Sequence, residues 1–349
     1  MAQLVFFIFA LVFSVLVNGL FLKFSKTLGL KNNNDQGTVI RWGSTSKPAF
    51  GGISFYIVFL ASFAVYGAFG EGMVDQPYLM GVLTATSLGF LIGLADDAYN
   101  TKPILKFSGQ LACGLILIYS GNYIHLFDSN ALNYSLTLLW VVGMMNSINM
   151  LDNMDGITTV VSIGSGLGVV VLLILSQQSN HFFVWIMLGM IASLIGFLRY
   201  NWNPSKMYMG DTGSQYLGVL LAAAGIHFFW NNYGNQNEGE LLQVAAALLA
   251  FMPSIMDTTI VVINRVRRGQ SPFVGGKDHT THHLGYMGLQ DRQVAWCFLG
   301  SSFISVALAL WLLKAEPRHQ FSILIIAGVY CAVTFSLLFW VTQQNKERR

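Results

Sequence analysis

Seven carboxylates carry most of the chemistry open to this chain: Asp96, Asp97, Asp152, Asp155, Asp211, Asp257 and Asp278. They fall in or beside short polar stretches that interrupt long apolar runs. Asp96 and Asp97 are adjacent at the end of such a run, where two negative charges face the negative end of a helix dipole. A bound cation or a nearby lysine, Lys102 or Lys106, would offset that cost. Asn146, Asn149 and Asn153 recur at i, i+3 and i+7, so a helix puts them on one face, with Asp152 and Asp155 at its tip. Amides there suit a uracil edge or a ribose hydroxyl, because each offers donors and acceptors. Hydrogen bonding between helices is the structural alternative. Asp211 lies in Met209-Gly210-Asp211-Thr212-Gly213-Ser214, a tight turn into a helix start. Backbone N–H groups of such a turn can hold an anion while the carboxylate holds a cation, although the same turn also serves as an ordinary cap.

The remaining polar positions are basic or mixed. Arg265, Arg267 and Arg268 lead to Lys277-Asp278-His279-Thr280-Thr281-His282-His283. The imidazole spacing i, i+3, i+4 fits zinc on a helical face. The neighbouring arginines favour an anion, and a pyrophosphate would accept hydrogen bonds from both residue types. Lys47 precedes Gly51-Gly52, a pair that serves close helix packing or, less favoured, a phosphate approaching backbone N–H groups. Asp257 sits inside an apolar run and is a functional candidate for that reason, with pairing to an arginine as the alternative.

The elements that position these groups must be membrane helices. Hydrophobic residues make up 54% of the chain and charged residues only 10%, against about 25% charged in a soluble domain. Apolar runs long enough to cross the hydrocarbon recur along the chain. They are roughly 3–22, 49–69, 78–95, 104–121, 136–150, 157–176, 181–199, 213–230, 241–263, 294–313 and 321–342. The expectation is one all-α domain, residues 1–349, a polytopic bundle of about eleven transmembrane helices; a barrel would alternate in hydrophobicity instead. Of the 19 Lys and Arg, all but Lys314 and Arg318 fall in one alternating set of gaps or in the C-terminal tail. That asymmetry puts the carboxylate gaps and the C-terminus in the cytoplasm and the N-terminus outside. The first apolar run has no basic residue before it, so it reads as an anchor and not a cleaved signal. The segment 122–135 on the outer side could include a short amphipathic hairpin. A net charge of +3 leaves no nucleic-acid footprint. Cys113, Cys297 and Cys331 lie in apolar runs without paired spacing and are expected as buried thiols.

Five of these features occur in a fixed order: Gly51-Gly52-Ile53; Asp96-Asp97; Asn149-x-x-Asp152 in N-x-x-N-x-x-D; M-G-D-T-G-S around Asp211; and P-x-x-x-D-T around Asp257 with a basic loop ending in H-x-x-H-H. The combination resembles the polyprenyl-phosphate N-acetylhexosamine-1-phosphate transferases. The motifs span about residues 40 to 290. The resemblance implies transfer of a sugar-1-phosphate from a UDP-N-acetylhexosamine to undecaprenyl phosphate at the cytoplasmic face of a bacterial inner membrane. The products would be a lipid-linked sugar pyrophosphate and UMP, in the first membrane step of a cell-envelope polysaccharide such as lipopolysaccharide.

The resemblance also implies site roles. Asp211 would ligate Mg²⁺, with Mn²⁺ as a substitute. Asp96 and Asp97 would sit near the metal and the lipid phosphate, either one serving as base. Asn149 and Asp152 match positions at the nucleotide-sugar site. His279, His282 and His283 match the family's histidine loop. Lys47, Asp155 and Arg265 complete the candidate substrate-binding set. A homodimer is implied as well. Two departures bear on specificity. Members often read D-G-x-D-G where this chain has Asp152-Asn153-Met154-Asp155-Gly156. Phospho-N-acetylmuramoyl-pentapeptide transferases, the alternative within the family, carry three adjacent histidines and a lysine three positions after the Asp pair. Here Thr280-Thr281 interrupt the histidines and Asn100 holds the lysine position, which favours N-acetylglucosamine as the sugar. A membrane lipid or ion transporter is the alternative from another class, but transporters place ionisable groups near the midplane.

Overall fold

The computed structural model describes residues 1–27, 47–69, 77–231, 240–272 and 276–344. Most of the gap 23–48, the outer gaps around 70–76 and 232–239, the stretch 273–275 and the tail after 344 lie outside the described residues. The described residues form thirteen α-helices and no strand: α1 (Ala2–Thr27), α2 (Gly51–Phe69), α3 (Pro77–Tyr99), α4 (Pro103–Tyr119), α5 (Asn130–Leu151), α6 (Ile157–Leu175), α7 (Phe182–Asn201), α8 (Gly210–Gly225), α9 (Glu240–Ala250), α10 (Met252–Arg267), α11 (Thr280–Tyr286), α12 (Asp291–Lys314) and α13 (Pro317–Gln344). A π-turn, Ile226–Trp230, continues α8.

Every apolar run in the sequence is helical, as it must be where no water is present to satisfy backbone N–H and C=O groups. Among the described residues eight helices are long and apolar enough to cross a membrane, or nine when α9 and α10 count as one span. The protein is a multi-pass membrane bundle. α1 and α13 form its rim and turn side chains such as Phe9, Leu16, Ile325 and Leu337 outward, where lipid replaces water as solvent. α8 is the centre, buried without interruption from Thr212 to Gly225. A helix that is apolar all round must be enclosed by others, and here α2, α3 and α5 enclose it.

Three expectations are corrected. The run 241–263 is not a straight span: α9 and α10 meet at Phe251 with a bend of 84°. Pro253, in the first turn of α10, has no N–H to extend α9. The stretch 122–135 holds no hairpin. Its second half is the first turns of α5, and Asn133 accepts from the N–H groups of Leu126 and Phe127, folding the connection back on the helix start. Of the cysteines only Cys113 is buried; Cys331 is half-buried and Cys297 faces outward from α12.

Glycine decides how closely the helices approach at one end of the bundle. A Cβ on Gly52 would overlap the backbone of Gly213, and one on Gly213 would press on Gly52. The N–H groups of Gly51 and Gly52 donate to the carbonyls of Tyr208 (3.2 Å) and Met209 (3.0 Å). The packing reading of this glycine pair therefore holds, and its N–H groups are occupied by protein.

Candidate active site

Four helix ends meet at that end of the bundle: the last turn of α3, the first turns of α4 and α8, and the last turns of α5. Asp97 reaches from α3 across the start of α8. It accepts from the N–H of Asp211 (3.0 Å), the N–H of Thr212 (2.9 Å) and the hydroxyl of Thr212 (2.6 Å). A carboxylate at a helix N-terminus meets the positive end of the dipole and satisfies orphan donors, so Asp97 caps α8 from another helix. Gly210 makes this approach feasible. It has φ +72°, a region that favours glycine, and a Cβ there would collide with the Asp97 carboxylate.

Asp96 turns the other way. Its Oδ1 accepts from the N–H (2.9 Å) and hydroxyl (2.5 Å) of Thr101, and its Oδ2 accepts from the Lys106 ammonium at 2.8 Å. Lys106 also donates to Asp211 Oδ2 (3.1 Å) and Asn149 Oδ1 (3.3 Å). Asn149 in turn donates to Asp211 Oδ1 (2.7 Å) and Ser214 Oγ (2.9 Å). Lys106 thus supplies the charge that the Asp96-Asp97 pair required. The sequence marked it only as a neighbouring lysine, and nothing in one sequence shows that α4 aims it at Asp211, 105 residues away.

A second polar layer lies one turn deeper. Gln110, one turn beyond Lys106 on α4, donates to Gln215 Oε1 (3.0 Å) and to Asn146 Oδ1 (3.3 Å) and accepts from Asn146 Nδ2 (2.9 Å). It holds α4, α5 and α8 in the register that the upper layer needs. Neither glutamine stood out in the sequence; the signal was a polar residue i+4 from Lys106 on an otherwise apolar helix.

Asp152 ends α5, half-buried and facing the same cluster. Burial, then the charges of Asp211 and Asp97, push its carboxyl up to about 8. Asp96 and Asp211 share the Lys106 ammonium, and Asp97 and Asp152 adjoin Asp211. Oxygen donors from Asn149 and Ser214 adjoin them. Asp211, with these oxygens beside it, could hold one Mg²⁺, which takes one or two carboxylates and completes its shell with phosphate oxygens and water. Among the described residues no three His, Cys, Asp or Glu side chains converge as a metal cage, at the histidines or at the carboxylates.

The other candidates form two neighbouring groups. Asp155 accepts from the N–H (2.9 Å) and hydroxyl (2.6 Å) of Ser205 and from Asn203 Nδ2 (3.1 Å). Lys47 lies 3.7 Å from Asp155, donates to Ser205 Oγ (2.8 Å) and sits over the ring of Tyr208. Both are engaged in holding the loop that leads into α8. Across the site, Asp257 is fully buried on α10 and pairs with no arginine among the described residues. It faces His279 Nδ1 at 3.0 Å and accepts from the N–H (2.9 Å) and hydroxyl (2.5 Å) of Thr280, so it anchors the start of α11. Arg265 donates to both oxygens of Asp278 (3.0 and 2.7 Å) and to the carbonyl of Pro272 (2.9 Å). Burial alone would raise Asp278, but the hydrogen bond and charge of Arg265, with Arg268, hold its carboxyl at about 2. Burial, then the charge of His279, lowers His282 to about 4, so this imidazole is neutral. Thr281 donates to Asn153 Oδ1 (2.5 Å), which ties the histidine helix to the tip of α5 and the carboxylate cluster. A glycine at position 153 could not make that contact.

Residues 79–229, which contain every member of the carboxylate cluster, match the family model described as glycosyl transferase family 4. The chain is 27% identical over 281 residues to a probable undecaprenyl-phosphate N-acetylglucosaminyl 1-phosphate transferase of Bacillus subtilis, covering 76% of this chain and 75% of the relative. It is 29% identical over 278 residues to the decaprenyl-phosphate N-acetylglucosaminephosphotransferase of Mycobacterium leprae, covering 72% and 69%. A phospho-N-acetylmuramoyl-pentapeptide-transferase of Staphylococcus aureus is 27% identical over 303 residues, covering 80% and 88%.

Proposed function

We propose that the chain, which matches the glycosyl transferase family 4 model over residues 79–229, transfers N-acetylglucosamine-1-phosphate from its UDP-sugar to undecaprenyl phosphate. The reaction would take place at the cytoplasmic face of a bacterial inner membrane, to which the lysine and arginine asymmetry assigns the carboxylate end of the bundle. The carrying observation is the convergence of Asp96, Lys106, Asn149 and Asp211 within hydrogen-bonding distance of one another at the junction of α3, α4, α5 and α8.

Two anions have to meet here, and the residues divide that work. Lys106 can leave its carboxylate partners for a phosphate oxygen while staying in the cluster. Asp211, with Asp152 beside it, would hold Mg²⁺, which when bound screens the two anions and the charge that collects on departing UMP. Asn149 would face the nucleotide sugar, while Asn146 and Asn153 are engaged by Gln110 and Thr281. A phosphate monoester has its second pKa near 6, so the lipid nucleophile is mostly dianionic without help from a strong base. A lipid phosphate oxygen attacks the β-phosphorus in line, the bond from that phosphorus to the bridging oxygen breaks, and its electron pair leaves on UMP. Asp96, hydrogen-bonded to Lys106, orients the ammonium, and Asp97 holds the start of α8 in place.

The test is a transfer assay on purified full-length protein with Mg²⁺ and undecaprenyl phosphate against a panel of UDP-sugars, following UMP and the lipid product together. UMP and lipid pyrophosphate from UDP-N-acetylglucosamine are expected. Turnover only with the UDP-N-acetylmuramoyl-pentapeptide would move the donor to the other branch, and no turnover with any donor from folded protein would overturn the reading.

A further inference from the structure

One buried carboxylate has no part in the transfer as proposed above. Asp257 is fully buried on α10, where a carboxylate is tolerated only with partners that satisfy its oxygens. Both oxygens are used at the start of α11. Oδ1 accepts from the N–H (2.9 Å) and the hydroxyl (2.5 Å) of Thr280, and Oδ2 faces Nδ1 of His279 at 3.0 Å. An ionised carboxylate can only accept, so it selects the ring form that carries a proton on Nδ1. The inner nitrogen is thereby fixed, and among the described residues no hydrogen bond reaches Nε2. The His279 side chain keeps 7% of its surface open, whereas Asp257 behind it keeps none.

Position and charge limit what this ring can serve. Thr281, two residues on, donates to Asn153 Oδ1 (2.5 Å), so the start of α11 lies against the tip of α5, beside Asp152. Arg265 and Arg268, the cations nearest in sequence on α10, are already engaged. Arg265 donates to both oxygens of Asp278 and to the carbonyl of Pro272, and Arg268 donates to Asp278 and to the carbonyl of Asn264. Burial, then the charge of His279, keeps His282 neutral. His279 differs from these in having a buried carboxylate behind it. An imidazolium there would lie between two anions, Asp257 and a phosphate of the ligand. A buried aspartate orients an imidazole and supports its charged form in the same way in the Ser-His-Asp triad.

We propose that Asp257 is a positioning residue, holding His279 with Nδ1–H turned inward so that the ring presents Nε2–H to a phosphate oxygen of the UDP-sugar. This deepens the reaction proposed above and rests on it, because that donor brings the diphosphate. The contact is a charge-assisted hydrogen bond, roughly twice as strong as a neutral one. It holds the donor alike before and during transfer, so its loss falls on KM more than on kcat.

The experiment takes two readings on the full-length protein in detergent. Imidazole ¹⁵N shifts of histidine-labelled protein, assigned by the signal lost in His279→Asn, report which ring nitrogens carry protons. The parent should show Nδ1–H at His279 without substrate, and both N–H groups when saturated with UDP-N-acetylglucosamine and Mg²⁺. In Asp257→Asn the amide oxygen stays with Thr280 and the NH₂ group turns to Nδ1, so the ring should switch to Nε2–H alone. Transfer kinetics give the second reading. Asp257→Asn should raise KM for the UDP-sugar about tenfold, the gap between a charge-assisted and a neutral hydrogen bond, with kcat changed much less. His279→Asn keeps an amide donor toward Asp257 and lacks the outer nitrogen. The double variant should be no worse than His279→Asn alone, because Asp257 acts through that nitrogen, whereas a merely structural aspartate would give losses that add. Additive losses, a KM within about twofold of the parent in Asp257→Asn, or a saturated parent lacking either ring N–H would each overturn the proposal. If Asp257→Asn does not fold, the parent spectrum and the KM of His279→Asn, expected to rise about tenfold or more, still decide it. A folded parent that turns over no UDP-sugar would overturn the reaction and the ligand assigned here with it, while the substrate-free spectrum separately tells whether Asp257 orients the ring.

Discussion

Two adjacent aspartates do different work in this protein. Asp97 accepts three hydrogen bonds from the start of α8, whereas Asp96 shares Lys106 with Asp211. Asp97→Asn would set an amide NH₂ against N–H donors. It is expected to lower stability by about 1–3 kcal/mol, the cost of unsatisfied buried groups, and to lower activity along with it; thermal unfolding in detergent beside the transfer assay checks both. Lys106→Met should leave the fold largely in place and reduce turnover about a hundredfold or more, the scale for removing one preorganised electrostatic contact. Near-normal turnover in Lys106→Met would remove the lysine from the mechanism. The sequence made the aspartates and Asn149 legible because charge and amide on apolar helices are costly without a purpose. It did not separate functional from framework partners. Lys47, Asp155 and Arg265 all carry suitable chemistry, yet their engagement with Ser205 and Asp278 depends on tertiary contacts that a lone sequence does not display.

Among the elements, α8 and the α10–α11 corner determine the site. α8 is central because its start is closed on by α2 and capped by α3, and Gly52 allows the first of these contacts. Gly52→Ala places a methyl in the backbone of Gly213, so α2 and α8 must separate. About 1–3 kcal/mol of stability should be lost, with activity falling because Asp211 moves; an alanine variant as stable and active as the parent would contradict this packing. The α10–α11 corner carries a pH signature. His282 is held at about 4 against an ordinary 6.5, so between those values the unfolded chain binds the extra proton. Its contribution is complete above about 6.5 and lost as pH falls toward 4, up to about 3 kcal/mol. Asp278, at about 2 against 3.8, acts in the same direction at lower pH. Below pH 6.5 the unfolding midpoint of the parent should therefore fall more steeply than that of His282→Gln, and the difference in slope should vanish above pH 6.5. The hydropathy pattern marked the long apolar helices but neither the short α11 nor the 84° bend, because the run 241–263 is apolar throughout and Pro253 is compatible with either a kink or a helix start.

At the scale of the whole molecule, every apolar run is helical, one of them broken at Phe251, and the carboxylates assembled at one end because their helices alternate in direction. Membrane architecture was legible for a physical reason: a bilayer admits few backbone solutions, so length and hydropathy nearly specify the elements. The pairing of helices was not, since apolar faces are interchangeable until glycines and buried amides choose between neighbours. The central claim is that the Asp96–Lys106–Asn149–Asp211 cluster performs the transfer. Its most direct test is UMP release from UDP-N-acetylglucosamine, dependent on undecaprenyl phosphate, compared between the parent protein and Asp211→Asn, both shown to be folded by their unfolding transitions. The account predicts that Asp211→Asn loses about a thousandfold in turnover while α8 remains folded, because Asp97 caps the backbone and not the side chain of Asp211. Turnover within twofold of the parent would contradict the account and take the chemistry away from this cluster.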